Sequence, residues 1–123
     1  MAKSSVVVLE EVGTTNPNQI VFADLLTKQL EGNENTEVVV SITTVPPNTA
    51  LPKHWHPGEE FAYVLEGSLT LWQEGKPDEY YKKGDVGIIA LKQVHTISTQ
   101  EEGATVLVFR VHELGHPGRI IVG

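Results

Sequence analysis

The chain has 123 residues, enough for one hydrophobic core and too few for two. Its 16 acidic side chains against 9 basic ones give a formal net charge of -7 and a pI near 5.1, the wrong sign for long-range attraction to nucleic-acid phosphates or an anionic membrane. There is no cysteine, which excludes disulfides, thiolate metal sites and cysteine nucleophiles together and accords with a cytoplasmic location.

Residues 6–9 form a Val-Val-Val-Leu run that stops at Glu10-Glu11. That is shorter than the roughly 7 to 15 apolar residues of a signal peptide or the ~20 of a spanning helix, so no membrane partner is expected. Residues 6–12 read as an edge strand or arm and 13–18 as a loop. Residues 20–30 fit either a helix stripe through Ile20, Phe22, Leu26 and Leu30 or a strand running into the turn Glu31-Gly32-Asn33, and the strand is preferred. Residues 37–45 are rich in β-branched side chains and end at Pro46-Pro47, a strand with a clear stop. Residues 46–52 are then a loop leading into the histidines.

Further strands are expected at 60–65, 69–73, 79–82, 86–90, 95–99 and 105–111. Turn signals separate them at Glu66-Gly67, Glu74-Gly75-Lys76-Pro77, Lys83-Gly84-Asp85 and Glu101-Glu102-Gly103. Short strands at this spacing, without a helical pattern or an internal repeat, indicate an all-β sandwich or barrel.

The chemistry concentrates between Leu51 and Gly67. Residues two apart in an extended chain share a side, so His54 and His56 would present both imidazoles on one face, about 7 Å apart. Glu60 follows a Pro57-Gly58 turn that can return its carboxylate toward them. Two imidazole nitrogens and a carboxylate oxygen suit iron, manganese, nickel, zinc or copper better than calcium or magnesium. Taken alone, His54-x-His56 is equally well read as a histidine-rich surface loop.

The spacing His54-x-His56-x3-Glu60-x6-Gly67 followed by Gly84-x10-His95 resembles the two motifs of the cupin family. The resemblance implies a single-domain double-stranded β-helix, a jelly-roll barrel, in which His54, His56, Glu60 and His95 hold one divalent transition metal. It places an N-terminal arm and edge strands at 1–35, the barrel core at 36–112 and a tail at 113–123. Four positions depart from the family pattern: Asn48 stands where glycine usually opens the first motif, Ala90 and Lys92 replace proline and glycine, and Thr99 replaces asparagine. None is a ligand position. Some cupin lyases carry a tyrosine where this chain has Ala62, which argues against that acid/base chemistry here.

With Glu60 pointing inward, Ala62 and Val64 share its face while Phe61, Tyr63 and Leu65 point outward. Both faces are apolar and need cover, and small cupins often supply it by pairing, so a homodimer is expected. His112-Glu113-Leu114-Gly115-His116 matches the helical zinc-peptidase pattern, but it follows a strand and carries Gly115 and Pro117. It therefore reads as a polar turn. Trp55 should project away from the metal, and Trp72, Phe109, Tyr80 and Tyr81 read as packing residues. Lys53 and Lys92 flank the mouth and with Arg110 could steer an anion, but each reads first as a solvated cation.

Four protein donors leave one or two positions of an octahedral ion open to a small-molecule ligand. The expected function is a metal-dependent enzyme on a small oxygen-rich molecule, either a dioxygenase or an isomerase or lyase. The alternative is a non-catalytic module that binds or senses a small ligand around a structural metal.

Overall fold

The computed structural model describes residues 19–115 and 119–122, so the arm expected at 6–12 and His116 lie outside the described residues. Nine strands and no helix occur among them: β1 (Val21–Gln29), β2 (Thr36–Val45), β3 (His54–Trp55), β4 (Glu59–Gln73), β5 (Glu79–Lys82), β6 (Val86–Ile89), β7 (His95–Ser98), β8 (Ala104–Glu113) and β9 (Ile120–Ile121). All pairings are antiparallel. One sheet runs β1-β2-β8-β4-β6 and the other β5-β4-β7-β3-β9, with β4 common to both.

The strand preferred for residues 20–30 is present as β1, with a bulge between Asp24 and Leu26. The two strands expected at 60–65 and 69–73 are instead one strand of 15 residues. Glu66-Gly67 bends this strand without ending it. A register shift between Val64 and Glu66 inserts one residue, and Gly67 takes φ 80°. The extra residue inverts the side-chain alternation: Glu60, Ala62 and Val64 line the interior before the bulge, and Leu69 and Leu71 after it. One strand thereby crosses from the first sheet to the second while keeping its apolar side chains inside. A Cβ at position 67 would run into the carbonyl oxygen of Gly103, so only glycine fits this corner.

Val64, Leu69, Leu71, Ile89, Ala104, Val106 and Val108 form the buried core. The outer face of the first sheet is also apolar. Register places Leu26, Val40, Phe109, Phe61 and Ile88 in one row across its five strands, and Ala23, Ile42, Leu107, Tyr63 and Val86 in the next. Leu26, Phe109, Ile88, Tyr63 and Val86 are exposed, so Phe109 packs on the outer face and not within the core. Tyr80, expected to pack, is exposed as well. No helix among the described residues is long and apolar enough to cross a membrane.

Candidate metal centre

The loop after β2 reaches the site because β7 holds it. Thr99 donates its hydroxyl to the Pro46 carbonyl at 2.5 Å and accepts from the Thr49 amide at 3.1 Å, while Thr96 donates to the Leu51 carbonyl at 2.6 Å. Leu51 N–H in turn reaches the Ile97 carbonyl at 3.0 Å. The threonine that replaces the family's asparagine thus ties down the loop in both directions. Asn48 and Lys92, at two positions where the family pattern has glycine, are the two non-glycine residues with positive φ among the described residues, at 53° and 61°. The backbone keeps the left-handed turn that glycine usually serves, at about 1 kcal/mol for a lysine. The Lys92 amide spends its hydrogen bond on the His56 carbonyl, at 3.1 Å, which joins that turn to the site.

Pinned in this way, His54 on β3 lies directly opposite His95 on β7. β3 ends at Trp55, so His56 lies just past the strand, yet its side chain is still buried. Pro57-Gly58 bends the chain back into β4, as the spacing implied. Gly58 packs so tightly on β8 that a Cβ would run into the Val111 carbonyl oxygen and the Cβ of His112. Gly58→Ala should therefore push the turn away from β8 and displace His56 and Glu60 together. The expected result is a loss of roughly 1 to 3 kcal/mol in chemical denaturation together with weaker metal uptake. Wild-type stability and metal content in this variant would refute the packing argument.

The ring centroids of His54, His56 and His95 are 4.9, 4.3 and 5.1 Å apart, and one nitrogen from each lies within 4.8 Å of the others. Donors on one ion at about 2.1 Å each stand about 3 to 4.2 Å apart, so the three nitrogens can close on an ion through small side-chain shifts. All three side chains are buried. Nδ1 of His54 donates to the Pro52 carbonyl at 2.7 Å and Nδ1 of His95 to the Gln93 carbonyl at 2.8 Å. These bonds select the tautomer whose Nε2 lone pair is free to bind a metal, the arrangement that metal-site histidines require.

Glu60 Oε1 lies 2.6 Å from His56 Nε2 and 3.9 Å from His95 Nε2. The shorter contact needs a proton between the two groups, which an incoming ion would displace. Burial pushes the His54 imidazole down to about 4, and burial also lowers His95. Burial favours a neutral Glu60, but the hydrogen bond from His56 and the charges of His56, His95 and Arg110 outweigh it and hold the carboxyl below its ordinary range. Burial thus favours the neutral form of His54 and His95 beside the Glu60 carboxylate, protonation states that a divalent transition ion takes.

The four residues face a cavity of about 60 Å³ lined mainly by apolar side chains, including Leu51, Ala62, Leu71 and Val106. Two arginines line the cavity against or outside the sequence reading. Arg110, expected to be solvated, is half-buried and lines the cavity. Its parity with the buried Ala104, Val106 and Val108 on β8 was the available signal. Arg119, just before β9, also lines the cavity and had no such signal. Lys53 lies over the Trp72 ring, 4.3 Å from its centroid, and Lys92 is exposed.

The zinc-peptidase pattern has no helix to stand on. His112 and Glu113 belong to β8, and the turn begins only at Leu114. His112 is buried with Nε2 3.4 Å from Glu37 Oε2 on β2.

Fold and site together define an antiparallel barrel protein that gathers three imidazoles and a carboxylate in its interior. The cupin domain model matches residues 41–111, more than half of the chain, and the chain belongs to the cupin family. Among curated proteins the chain has no significant sequence match. Among solved structures it is similar to DMSP lyase DddQ from Ruegeria pomeroyi, with TM-score 0.71 and 21% identity over 84% of this chain and 51% of the lyase. The chain thus spans about half the length of that protein. A cupin-like protein from Thermotoga maritima gives TM-score 0.70 and 24% identity, covering 85% of this chain and 76% of its own. The polyketide cyclase RemF from Streptomyces resistomycificus gives TM-score 0.66 and 25% identity, covering 85% and 71% respectively.

Proposed function

We propose that His54, His56, His95 and Glu60 hold one divalent transition metal, and that the chain is a metal-dependent enzyme acting on a small oxygen-bearing molecule inside the barrel. The observation that carries this reading is the set of three buried imidazoles, with donor atoms within 4.8 Å, two of them oriented by backbone carbonyls. When bound, the ion supplies Lewis acidity and open positions for oxygen ligands. The chain's own contribution is a mainly apolar enclosure that limits water around those positions and strengthens polar contacts within it.

The other acid/base candidate lining the cavity is Tyr81. Its hydroxyl donates to Glu79 Oε1 at 2.8 Å, and burial with the Glu79 contact pushes it up to about 12. A phenol so held is a poor proton carrier near neutral pH. This favours oxygen chemistry or carbonyl polarisation over a reaction that needs a second acid/base group. It also supports the second reading, a binding module around a structural metal. With iron or manganese restored, oxygen uptake or substrate loss across a panel of diketones, phenols and keto acids is the expected result for an enzyme. Saturable binding of panel members without turnover would assign the binding role.

The apolar rows on the outer face of the first sheet support a homodimer formed through that face. Light scattering after size exclusion should give twice the chain mass at micromolar concentration, and Tyr63→Lys together with Ile88→Lys should give monomer. A monomeric parent protein would reject the pairing.

A further inference from the structure

We infer that Arg110 and Arg119 form a carboxylate-binding subsite beside the histidine cluster, so that the molecule entering the barrel is a small carboxylic acid whose second oxygen faces the metal position. The second contact rests on the metal reading above; the first does not.

The two arginines come from opposite parts of the fold. Arg110 lies directly across from Glu60 in the β4–β8 register, on the same inward face. Arg119 is brought in by the short β9, whose Ile121 pairs with His54 and whose Ile120 pairs with Trp55. The Arg119 guanidinium carbon lies over the Phe22 ring, 4.1 Å from its centroid, a cation–π contact that uses none of its N–H donors.

Each arginine keeps a buried donor unsatisfied among the described residues. The Nε atoms of both are buried and have no hydrogen-bond partner among the described residues. Neither guanidinium forms an ion pair with a described carboxylate, Glu60 included. Buried donors are almost always paired, and an unpaired one on a charged group carries a penalty that a ligand can remove. Burial and the neighbouring charge of Arg110 lower the Arg119 guanidinium, and the carboxylates of Glu60 and Asp24 oppose this without forming an ion pair with it.

Charge and size narrow the ligand. Among residues lining the cavity, two guanidiniums face one carboxylate, Glu60, leaving one surplus positive charge before any ion and three with a divalent one. The protein as a whole carries -7, so this positive interior is a local construction. A planar guanidinium fork matches a carboxylate through two parallel hydrogen bonds. The small cavity, about 60 Å³, favours a short 2-oxo or 2-hydroxy acid over a bulkier anion.

Pyruvate is the probe. Calorimetric titration into the metal-loaded chain should show saturable binding with a dissociation constant at or below about 1 mM. Arg110→Gln and Arg119→Gln should each weaken it roughly ten- to a hundredfold, with metal content unchanged by elemental analysis. Methyl pyruvate keeps the keto oxygen and lacks the charge, so it should bind weakly and equally to all three proteins. Arg119→Lys, which keeps the charge but not the fork, should restore part of the lost affinity. Should Arg110→Gln fail to fold, the two Arg119 variants decide the matter, because position 119 lies outside the strands. Arginine-dependent pyruvate binding in a chain that takes up no ion would refute the metal reading and sustain this subsite. Wild-type pyruvate affinity in the folded Arg119→Gln variant, no pyruvate binding by the parent chain, or tighter binding of inorganic phosphate would overturn the carboxylate assignment.

Discussion

Alanine at His95 should leave the purified chain almost free of metal, where the parent chain should carry close to one divalent transition ion. His95 is among the most buried side chains of the described structure, its Nδ1 is committed to the Gln93 carbonyl, and its ring stands 4.3 Å from that of His54. Removing it leaves two imidazoles and Glu60, whose nearest partner is already His56 at 2.6 Å. Loss of an orienting partner alone typically weakens a metal site 10- to 100-fold, so loss of a direct donor should exceed about 100-fold, near 3 kcal/mol. Elemental analysis of protein prepared without added metal reads this directly, with circular dichroism to confirm that the barrel persists. His112→Ala is the control, because that side chain is not among the cluster's donors and its Nε2 points to Glu37 Oε2 at 3.4 Å, so metal content should stay at the parent level. Equal metal in the parent chain and His95→Ala would end the case for the site.

Acid should destabilise the metal-stripped protein over a defined window. His54 is held down to about 4 against 6.5 when unfolded, chiefly by burial, with the neighbouring His95, His56 and Arg119 adding to the effect and the Pro52 hydrogen bond opposing it. Above pH 6.5 the imidazole is neutral in both states and folding is not penalised. Between 6.5 and 4 the unfolded chain takes up a proton that the folded chain refuses, so stability falls as pH falls. A difference of this size corresponds to about 3 kcal/mol at full extent. Burial lowers His95 as well, which steepens the loss in the same direction. Glu60, held below its unfolded value of 4.5, adds a further loss below that pH. Urea unfolding should therefore give a flat free energy from about pH 8 to 7 and a decline toward pH 4, reduced in His54→Gln. A stability independent of pH through this window would show that these imidazoles are not buried as neutral groups. Bound metal should shift the decline, because protons and the ion compete for the same nitrogens.

Much of the barrel was legible because its signals are local. The β-branched run ending at Pro46-Pro47 gave β2, the Gly- and Pro-containing turns bounded β5 and β6, and the parity of Glu60, Ala62 and Val64 correctly turned them inward. Where a reading failed, a local signal was overridden by something distant. Glu66-Gly67 has the composition of a turn, but pairing of β4 with β8 on one side and with β5 and β7 on the other carries the strand through it as a bulge.

The spacing of His54, His56 and Glu60 by itself determined which donor types lie close together, because neighbours in sequence cannot be far apart in space. Only the tertiary structure decided that His95 comes opposite His54, that backbone carbonyls orient two of the rings, and that Arg110 and Arg119 line the cavity with Nε atoms that lack a hydrogen-bond partner among the described residues. The physical reason is that strand parity depends on register, and register is set by pairing between segments up to dozens of residues apart, which no window of sequence contains.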